Sequence, residues 1–290
     1  MGAAGAGRGE LRADQGGGME SRIYFIRHGI TEGNMNKWFY GRLDLPLTEK
    51  GKELLRGLAE MDIYPDPEKA ALVGTSCMIR TEETLEIVCG RIAHEVFPKL
   101  REFNFGVFDG KTLQEIRDKD YFVNYINDET GDFVIPEGDS NNRFSRRVMR
   151  GVAEVLKCQF DRCGQNDAPA GAAPEHPGSC DRADADIEPQ EFAAGGGASD
   201  ISGQRKEPVY SIIICHGGVI SRIMRELFPE AGFDRWEWIP DPGLGFCIHF
   251  DGYKATGYEK IGKGITVDVP HWTAEKEKSF KSRAGYKDGH

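Results

Sequence analysis

The stretch Val209-Tyr210-Ser211-Ile212-Ile213-Ile214-Cys215 decides the fold class, because it is apolar at almost every position. A strand of this kind is buried on both faces, as in the centre of a parallel sheet. Residues 22–27, Arg-Ile-Tyr-Phe-Ile-Arg, predict a second strand near the start of the chain. Each strand is followed directly by a histidine and a glycine, His28-Gly29 and His216-Gly217. The pattern therefore predicts two strands that carry similar residues at their carboxyl ends.

The segments around these strands alternate between the apolar patterns of helices and of strands. Apolar periodicity predicts helices after a capping Thr48, from Ile79 to about Ile92, over 143–157 and over 221–228, and short apolar runs predict strands over 71–75 and 245–250. Alternating strands and helices indicate a three-layer α/β/α fold, a mostly parallel sheet flanked by helices. Such sheets form their sites at the carboxyl ends of the strands. We therefore expect His28 and His216 at one site.

Three segments differ in composition from the rest of the chain. Residues 1–18 are rich in Gly and Ala, residues 159–208 hold ten acidic and four basic side chains with few large apolar ones, and residues 264–290 are polar. The first two segments bury too little apolar surface to order themselves. The tail either lies over the domain or stays mobile. We expect a disordered leader (1–18), a single domain (19–263) interrupted by a disordered insertion (159–208), and a polar tail (264–290). Met1 and Met19 both remain possible starts.

Composition restricts the partners and the location. The net charge of −10 argues against nucleic acid and anionic membranes as partners. No apolar run approaches the 18 residues of a membrane-spanning helix. The seven cysteines contain no CxxC pair, so the sequence supports neither a disulfide framework nor a zinc site. We expect a cytoplasmic protein, and the sequence leaves open a monomer or a homodimer.

Cationic residues accompany the two histidines. Arg27 precedes His28, and Arg80 is expected at the start of a helix, where an anion nearby would explain a cation. Arginine matches the oxygens of a phosphoryl group with its fork of donors. Together with His28 and His216, the two arginines indicate a site for a phosphoryl dianion. Glu102 is a weaker candidate for a general acid beside it.

The order of these motifs resembles the histidine phosphatase superfamily, which is phosphoglycerate mutase-like in fold. The segment Arg27–Asn34 is similar to the family signature RHG-x-T-x-x-N. The resemblance continues in order through 41–44, 47–51, 76–84, 100–110, 136–140 and 216–220. One departure is Pro-Glu-Gly-Asp-Ser at 136–140, where the family usually has Gly-Gly-Glu-Ser. The resemblance covers about residues 20–158 and 209–260.

The resemblance implies a mechanism that needs neither a metal nor a cofactor. His28 would be the nucleophile that forms a phosphohistidine, and Glu102 would be the proton donor. The groups that would hold the phosphoryl oxygens are Arg27, Arg80 and His216, with Asn34 and the Gly217 amide as further donors.

The stretch Leu-Arg-Glu-Phe-Asn-Phe-Gly at 100–106 is similar to the phosphatase branch, which includes alpha-ribazole and broad-specificity phosphatases. Glycolytic mutases usually have Leu-Asn-Glu-Arg-x-Tyr-Gly at this place. We therefore expect a phosphomonoester hydrolase that acts on a small phosphorylated metabolite. The alternatives are phosphoglycerate mutase-type phosphoryl transfer and a catalytically silent module that binds phosphorylated ligands. The physiological substrate is not encoded in any motif of the chain.

Overall fold

A computed structural model of the chain describes residues 19–164, 208–232 and 237–269. The strands are β1 (Glu20–Arg27), β2 (Trp38–Phe39), β3 (Leu72–Thr75), β4 (Glu95–Val96), β5 (Lys111–Thr112), β6 (Val209–Cys215), β7 (Gly245–Asp251) and β8 (Lys254–Ile261). The helices are α1 (Glu32–Met35), α2 (Glu49–Glu60), α3 (Ile79–Cys89), α4 (Leu113–Ile116), α5 (Asp120–Ile126), α6 (Asn141–Gly164) and α7 (Gly217–Leu227). The expected leader, at residues 1–18, lies outside the described residues.

Six strands form the main sheet in the order β4-β3-β6-β1-β7-β8. The neighbours from β4 to β1 are parallel, and β7 and β8 are antiparallel additions at one edge. Strands β2 and β5 pair separately. The expected mostly parallel sheet is therefore confirmed, with β6 and β1 at its centre.

Helices cover both faces of this sheet. Successive residues of β6 point to opposite sides, so Ile213 packs with Val148 of α6 and Val219 of α7. On the other face, Ile212 packs with Leu85 of α3. The architecture is thus the expected three-layer α/β/α fold. Within the described residues, no helix is both long and apolar enough to span a bilayer.

Helix α6 continues into the segment expected to be a disordered insertion. It ends at Gly164, although the composition placed the boundary at 159. The reason is Gln159, whose buried side chain donates to the Val209 carbonyl (3.2 Å) and accepts from the Ser211 hydroxyl (2.9 Å). These contacts tie the end of α6 to β6. The rest of the segment, 165–207, lies outside the described residues.

The sequence leaves open whether the polar tail lies over the domain or stays mobile. The start of the polar tail packs on the domain, because Val267 and Val269 are buried against Ile30 and Leu58. Residues 270–290 lie outside the described part.

Cys77 is disulfide-bonded, whereas Cys89, Cys158, Cys163, Cys215 and Cys247 carry free thiols. The expectation that the seven cysteines form no disulfide framework therefore has an exception at Cys77. The cytoplasmic location stays a prediction.

Candidate active site

The parallel pairing of β1 with β6 sets the two histidines side by side. Arg27 and Cys215 are partners in register, so each strand ends at the same level. The His28 amide then donates to the Cys215 carbonyl (3.0 Å). The imidazole rings of His28 and His216 lie 5.2 Å apart between their centroids. Both side chains are almost fully buried.

The protonation of His28 follows from its backbone partner. Its Nδ1 lies 2.7 Å from the Gly29 carbonyl oxygen, which can only accept, so Nδ1 carries the proton. Nε2 of the neutral ring is then an unprotonated lone pair. The pKa of His28 lies well below its usual value, chiefly because burial disfavours the cation and also because Arg80 and Arg27 repel it. The geometry thus keeps the His28 ring neutral, with an unprotonated Nε2.

His216 has the opposite tautomer. Arg80 Nε, which can only donate, lies 3.3 Å from Nδ1 of His216. The proton of the neutral ring is therefore on Nε2, which donates to the Ser76 hydroxyl (2.6 Å). Burial, and then the charge of Arg80, lowers the pKa of His216 well below its usual value. In this arrangement His216 orients Arg80.

Two arginines bring positive charge to the histidines. Arg80 is fully buried, and its guanidinium donates to the carbonyls of Leu43 (2.8 Å) and Gly41 (3.1 Å). Arg27 donates to the Pro240 carbonyl (2.8 Å), and its buried Nε has no hydrogen-bond partner among the described residues. A buried donor without an acceptor costs free energy, which a bound anion would offset. Burial lowers the pKa of both arginines, yet such side chains stay charged.

Glu102 reaches the site from a different segment. Its Oε2 accepts from the Gly218 amide in the first turn of α7 (2.9 Å), and its Oε1 accepts from the Phe103 amide (2.8 Å). A side chain at position 218 would place its Cβ 2.3 Å from Oε1 of Glu102. Only glycine at 218 therefore allows the carboxyl group to lie over the start of α7.

Asn34 and Gly217 complete the set expected from the sequence. Asn34 Oδ1 accepts from the Thr31 amide (3.0 Å) and the Thr31 hydroxyl (3.1 Å), so its NH2 group is turned the other way. Gly217 is the first residue of α7, where backbone amides lack an intrahelical acceptor. Such amides favour an anion.

A single cavity of about 270 Å³ joins these groups. Its lining includes Arg27, His28, Asn34, Arg80, Glu102 and Gly217. His216 lies directly behind, against His28 and Arg80. The structure thus brings together all seven residues that the sequence singled out. Within the described residues, no group of three or more His, Cys, Asp or Glu side chains is arranged as a metal site.

The sequence of this domain matches a family model over residues 23–162, that of the histidine phosphatase superfamily, branch 1. The match covers slightly less than half of the chain. The recognition made from the motifs is thereby confirmed at the level of the family. The matched residues include five of the seven named above, Arg27, His28, Asn34, Arg80 and Glu102. His216 and Gly217 follow the matched residues in the chain.

Relatives of two kinds share this domain. A probable phosphoglycerate mutase GpmB of Enterobacter sp. (strain 638) is 29% identical over 144 residues, which cover 47% of this chain and 63% of the relative. The chain thus spans less than two thirds of the length of that curated relative. Among solved structures, the alpha-ribazole phosphatase of Shigella flexneri has a TM-score of 0.57 at 21% identity, covering 85% of this chain and 99% of that one.

A second solved structure of similar fold is a phosphoglycerate mutase. The protein from Bacillus anthracis has a TM-score of 0.58 at 17% identity, and the match covers 84% of this chain and 94% of that one. At such identities the likeness shows the shared histidine phosphatase fold alone. The phosphoglycerate mutase-like architecture is therefore confirmed, and the chemistry has to be argued from the site.

Sequence reasoning missed Arg147 on α6. Its guanidinium donates to the carbonyls of Lys99 (3.0 Å), Arg101 (2.7 Å) and Glu102 (3.1 Å), and it pairs with Asp139 (3.1 Å). These contacts hold the segment that carries the Glu102 carboxyl. Position 147 is 45 residues from Glu102 in the chain, so no local motif connects the two.

Asp109 has a similar positioning role toward Arg80. Its Oδ1 accepts from the Gly41 amide (2.8 Å), and its Oδ2 accepts from the amides of Arg42 (3.0 Å) and Leu43 (3.1 Å). The carbonyls of Gly41 and Leu43 in turn accept from Arg80. Asp109 therefore fixes the loop that orients the buried guanidinium. The motif pattern contained Asp109 but gave it no role.

Proposed function

We propose that this protein is a metal-independent phosphomonoester hydrolase that works through a phosphohistidine on His28. The observation that carries the proposal is the hydrogen bond from His28 Nδ1 to the Gly29 carbonyl, 2.7 Å long. It leaves the Nε2 lone pair free to act as the nucleophile in a cavity whose lining includes Arg27 and Arg80. The match of residues 23–162 to the histidine phosphatase superfamily supports the same mechanism.

In the first step, Nε2 of His28 attacks phosphorus, and the bond from phosphorus to the leaving oxygen breaks. Glu102 gives a proton to that oxygen, so the product leaves as an alcohol or a phenol. Arg27 and Arg80 stabilise the charge on the remaining phosphoryl oxygens. The Asn34 NH2 group and the Gly217 amide add further donors in this proposal.

In the second step, water attacks phosphorus and Glu102 accepts a proton from the water. The bond between nitrogen and phosphorus breaks, inorganic phosphate leaves, and His28 returns to its neutral form. His216 contributes a donor to the phosphoryl group only when it holds a second proton. A bound dianion favours this protonation, because an adjacent negative charge raises the pKa of an imidazole.

Phosphate release from a panel of phosphomonoesters in EDTA tests the proposal. The panel contains alpha-ribazole phosphate, sugar phosphates, nucleotides, 4-nitrophenyl phosphate and 3-phosphoglycerate. We expect release that survives EDTA and falls roughly 10³-fold or more in His28→Ala. His249→Gln is the matched control, since this histidine lies on β7 outside the cavity lining and should leave the rate unchanged. Release that requires a metal, or that persists in His28→Ala, would contradict the proposal.

Phosphoryl transfer of the phosphoglycerate mutase type is the second candidate. The name of the Enterobacter relative favours it. It requires that the phosphohistidine be returned to a phosphorylated acceptor rather than to water. Conversion of 3-phosphoglycerate to 2-phosphoglycerate without release of phosphate would establish transfer in place of hydrolysis. A chain that binds these ligands and turns over none would be a binding module.

A further inference from the structure

The cavity extends away from the two histidines along one face of α7. Gly217, Gly218, Ser221, Arg222 and Arg225 all line it. This spacing keeps the five residues in one stripe of the helix. With a rise of about 1.5 Å per residue, Arg222 is about 6 Å and Arg225 about 10 Å beyond Gly218 along the axis. The helix that begins at the reaction centre thus carries two more cations into the same cavity.

The charge of this cavity exceeds what one phosphoryl group needs. Among the described residues, the cationic side chains of its lining are Arg27, Lys37, Arg80, Arg222 and Arg225, against the single carboxylate of Glu102. The chain as a whole has a net charge of −10, so this concentration runs against the average. Arg27 and Arg80 suffice for a phosphoryl dianion beside His28. The arginines of α7 are therefore available to a different anionic group.

Contacts with three residues fix the position of the Arg222 guanidinium. Its side chain is 14% exposed, and its guanidinium donates to Asn141 Oδ1 (3.1 Å) and lies 3.5 Å from Glu226 Oε1. It also lies over the ring of Phe144, 5.9 Å from the centroid. Burial and the like charge of Arg225 lower its pKa. Glu226 carries one negative charge, whereas Arg222 and Arg225 carry two positive charges. An anion bound in the cavity beside these arginines would therefore be stabilised.

Aromatic rings form a large part of the wall of this cavity. The cavity lining includes Trp38, Phe39, Phe105, Phe122, Tyr125 and Phe144. Phe39 contacts Phe105 and Phe122 edge to face, with centroids 5.5 and 6.0 Å apart. Trp38, Phe39 and Phe105 are only half-buried, so they offer apolar surface to a ligand. Aromatic side chains pack well against flat rings.

We propose that the substrate of this site is the phosphomonoester of a planar ring that carries a second anionic group at its far end, bound by Arg222. The inference rests on the proposed function for the phosphoryl end of the cavity. The ring occupies the aromatic wall, and a carboxylate or second phosphate reaches Arg222 with Arg225 nearby. Hydrolysis then yields inorganic phosphate and a ring alcohol that keeps its anionic group.

The test compares two substrates that differ in one charge. 4-Carboxyphenyl phosphate carries an anion opposite its phosphate ester, and 4-carbamoylphenyl phosphate is the neutral amide of the same shape. We expect the wild-type protein to prefer the carboxylate by about tenfold or more in kcat/KM, as charge-assisted binding to arginine predicts. Arg222→Gln should reduce this preference to less than about threefold. Arg91→Gln removes an equally charged but exposed arginine outside the cavity lining, and it should keep the full preference.

A binding measurement separates this inference from the proposed function. 4-Carboxybenzylphosphonate and its carboxamide cannot be hydrolysed, and calorimetry gives their affinities directly. Tighter binding of the carboxylate that depends on Arg222, without turnover of either phosphate ester, would support the ring-and-anion site and overturn only the hydrolase. Equal use and equal binding of the two members of each pair, unchanged in Arg222→Gln, would overturn the inference and leave the hydrolase intact.

Discussion

His28 and His94 show how the surroundings of a histidine shift its pKa in opposite directions. Burial, Arg80 and Arg27 lower the pKa of His28, whereas the hydrogen bond from His94 to Glu82 raises the pKa of His94. A histidine with a lowered pKa is neutral at pH 6.5, where the ordinary imidazole is half protonated. The proposed nucleophile is therefore in its reactive form over the whole physiological range.

Histidine-labelled protein allows this difference to be measured directly. In carbon–proton correlation spectra at pH 6.5, we expect the His28 ring to be neutral and the His94 ring to be more than half protonated. His28→Gln and His94→Gln assign the two signals. A titration midpoint for His28 at or above 6.5 would show that the site does not hold the ring neutral.

Gly218 is the residue at which the position of Glu102 is most easily disturbed. Gly218→Ala places a methyl group 2.3 Å from Glu102 Oε1 and must displace the carboxyl group. If Glu102 is the proton donor, an alkyl phosphate should lose roughly 10²-fold or more in kcat, the usual contribution of general acid catalysis. 4-Nitrophenyl phosphate should lose much less, because its leaving group needs little protonation.

Gly57→Ala is the matched control for this substitution. This helical glycine of α2 has no neighbour within 4 Å of an added Cβ, so alanine should leave both rates unchanged and add up to about 1 kcal/mol of stability. Equal losses for the two substrates in Gly218→Ala would contradict the role given to Glu102.

The loop of residues 41–43 is the element that connects Asp109 to Arg80. Asp109→Asn keeps the shape of the side chain but replaces one carboxylate oxygen by an NH2 group, which cannot accept from the loop amides. We expect the free energy of unfolding to fall by about 1–3 kcal/mol, and kcat/KM for any hydrolysed phosphomonoester to fall at least tenfold.

Chemical denaturation and steady-state kinetics measure the two effects together. Asp118→Asn changes an exposed carboxylate that pairs only with its neighbour Arg117 among the described residues, and it should change neither quantity. A stability loss in Asp109→Asn without any loss of activity would show that the loop does not position Arg80 for the reaction.

Elements with a strong local pattern were predictable from the sequence. Thr48 caps α2 as expected, since its hydroxyl accepts from the Gly51 amide (3.0 Å). Apolar periodicity is less informative about the end of this helix: α2 ends at Glu60, and the next residue, the apolar Met61, is 61% exposed. Strand β8 was not predicted, because its residues are mostly polar and it forms by pairing with β7.

The residues of the site also differ in whether the sequence alone could place them. His28 and His216 could be placed together from the sequence, because both directly follow apolar strands of a parallel sheet. Arg147 and Arg222 could not, because their contacts join α6 and α7 to residues 45 and 81 positions away. Nothing in a local window marks an arginine that becomes buried through such distant partners. Sequence motifs thus located the proposed reacting groups, and the structure added the residues that hold them or extend the cavity.

At the scale of the whole molecule, residues 165–207 stand between α6 and the strand that leads to His216. Few large apolar side chains occur in its sequence. We expect that replacing 165–207 by a short Gly/Ser linker leaves kcat and KM within about twofold, because long loops add little closure cost. The replacement must keep Gln159, which joins α6 to β6. Because the replacement also removes Cys180 and Cys77 is disulfide-bonded, the full-length Cys77→Ser protein is its control.

The kinetics of the shortened protein decide between two roles for this segment. Unchanged constants would identify a tolerated surface segment. A rise in KM or a loss of kcat, in a protein whose unfolding temperature is unchanged, would instead indicate a lid or a docking segment for substrate.

The most direct test of the account is to trap the phosphorylated protein. The protein is mixed with an aryl phosphate on the millisecond scale, quenched in alkali, where phosphohistidine survives, and mapped by mass spectrometry. We expect phosphate on His28 that forms and decays at least as fast as turnover and that is absent from His28→Gln. Hydrolysis at the full rate with no phosphate on His28, or with phosphate on another residue, would contradict it.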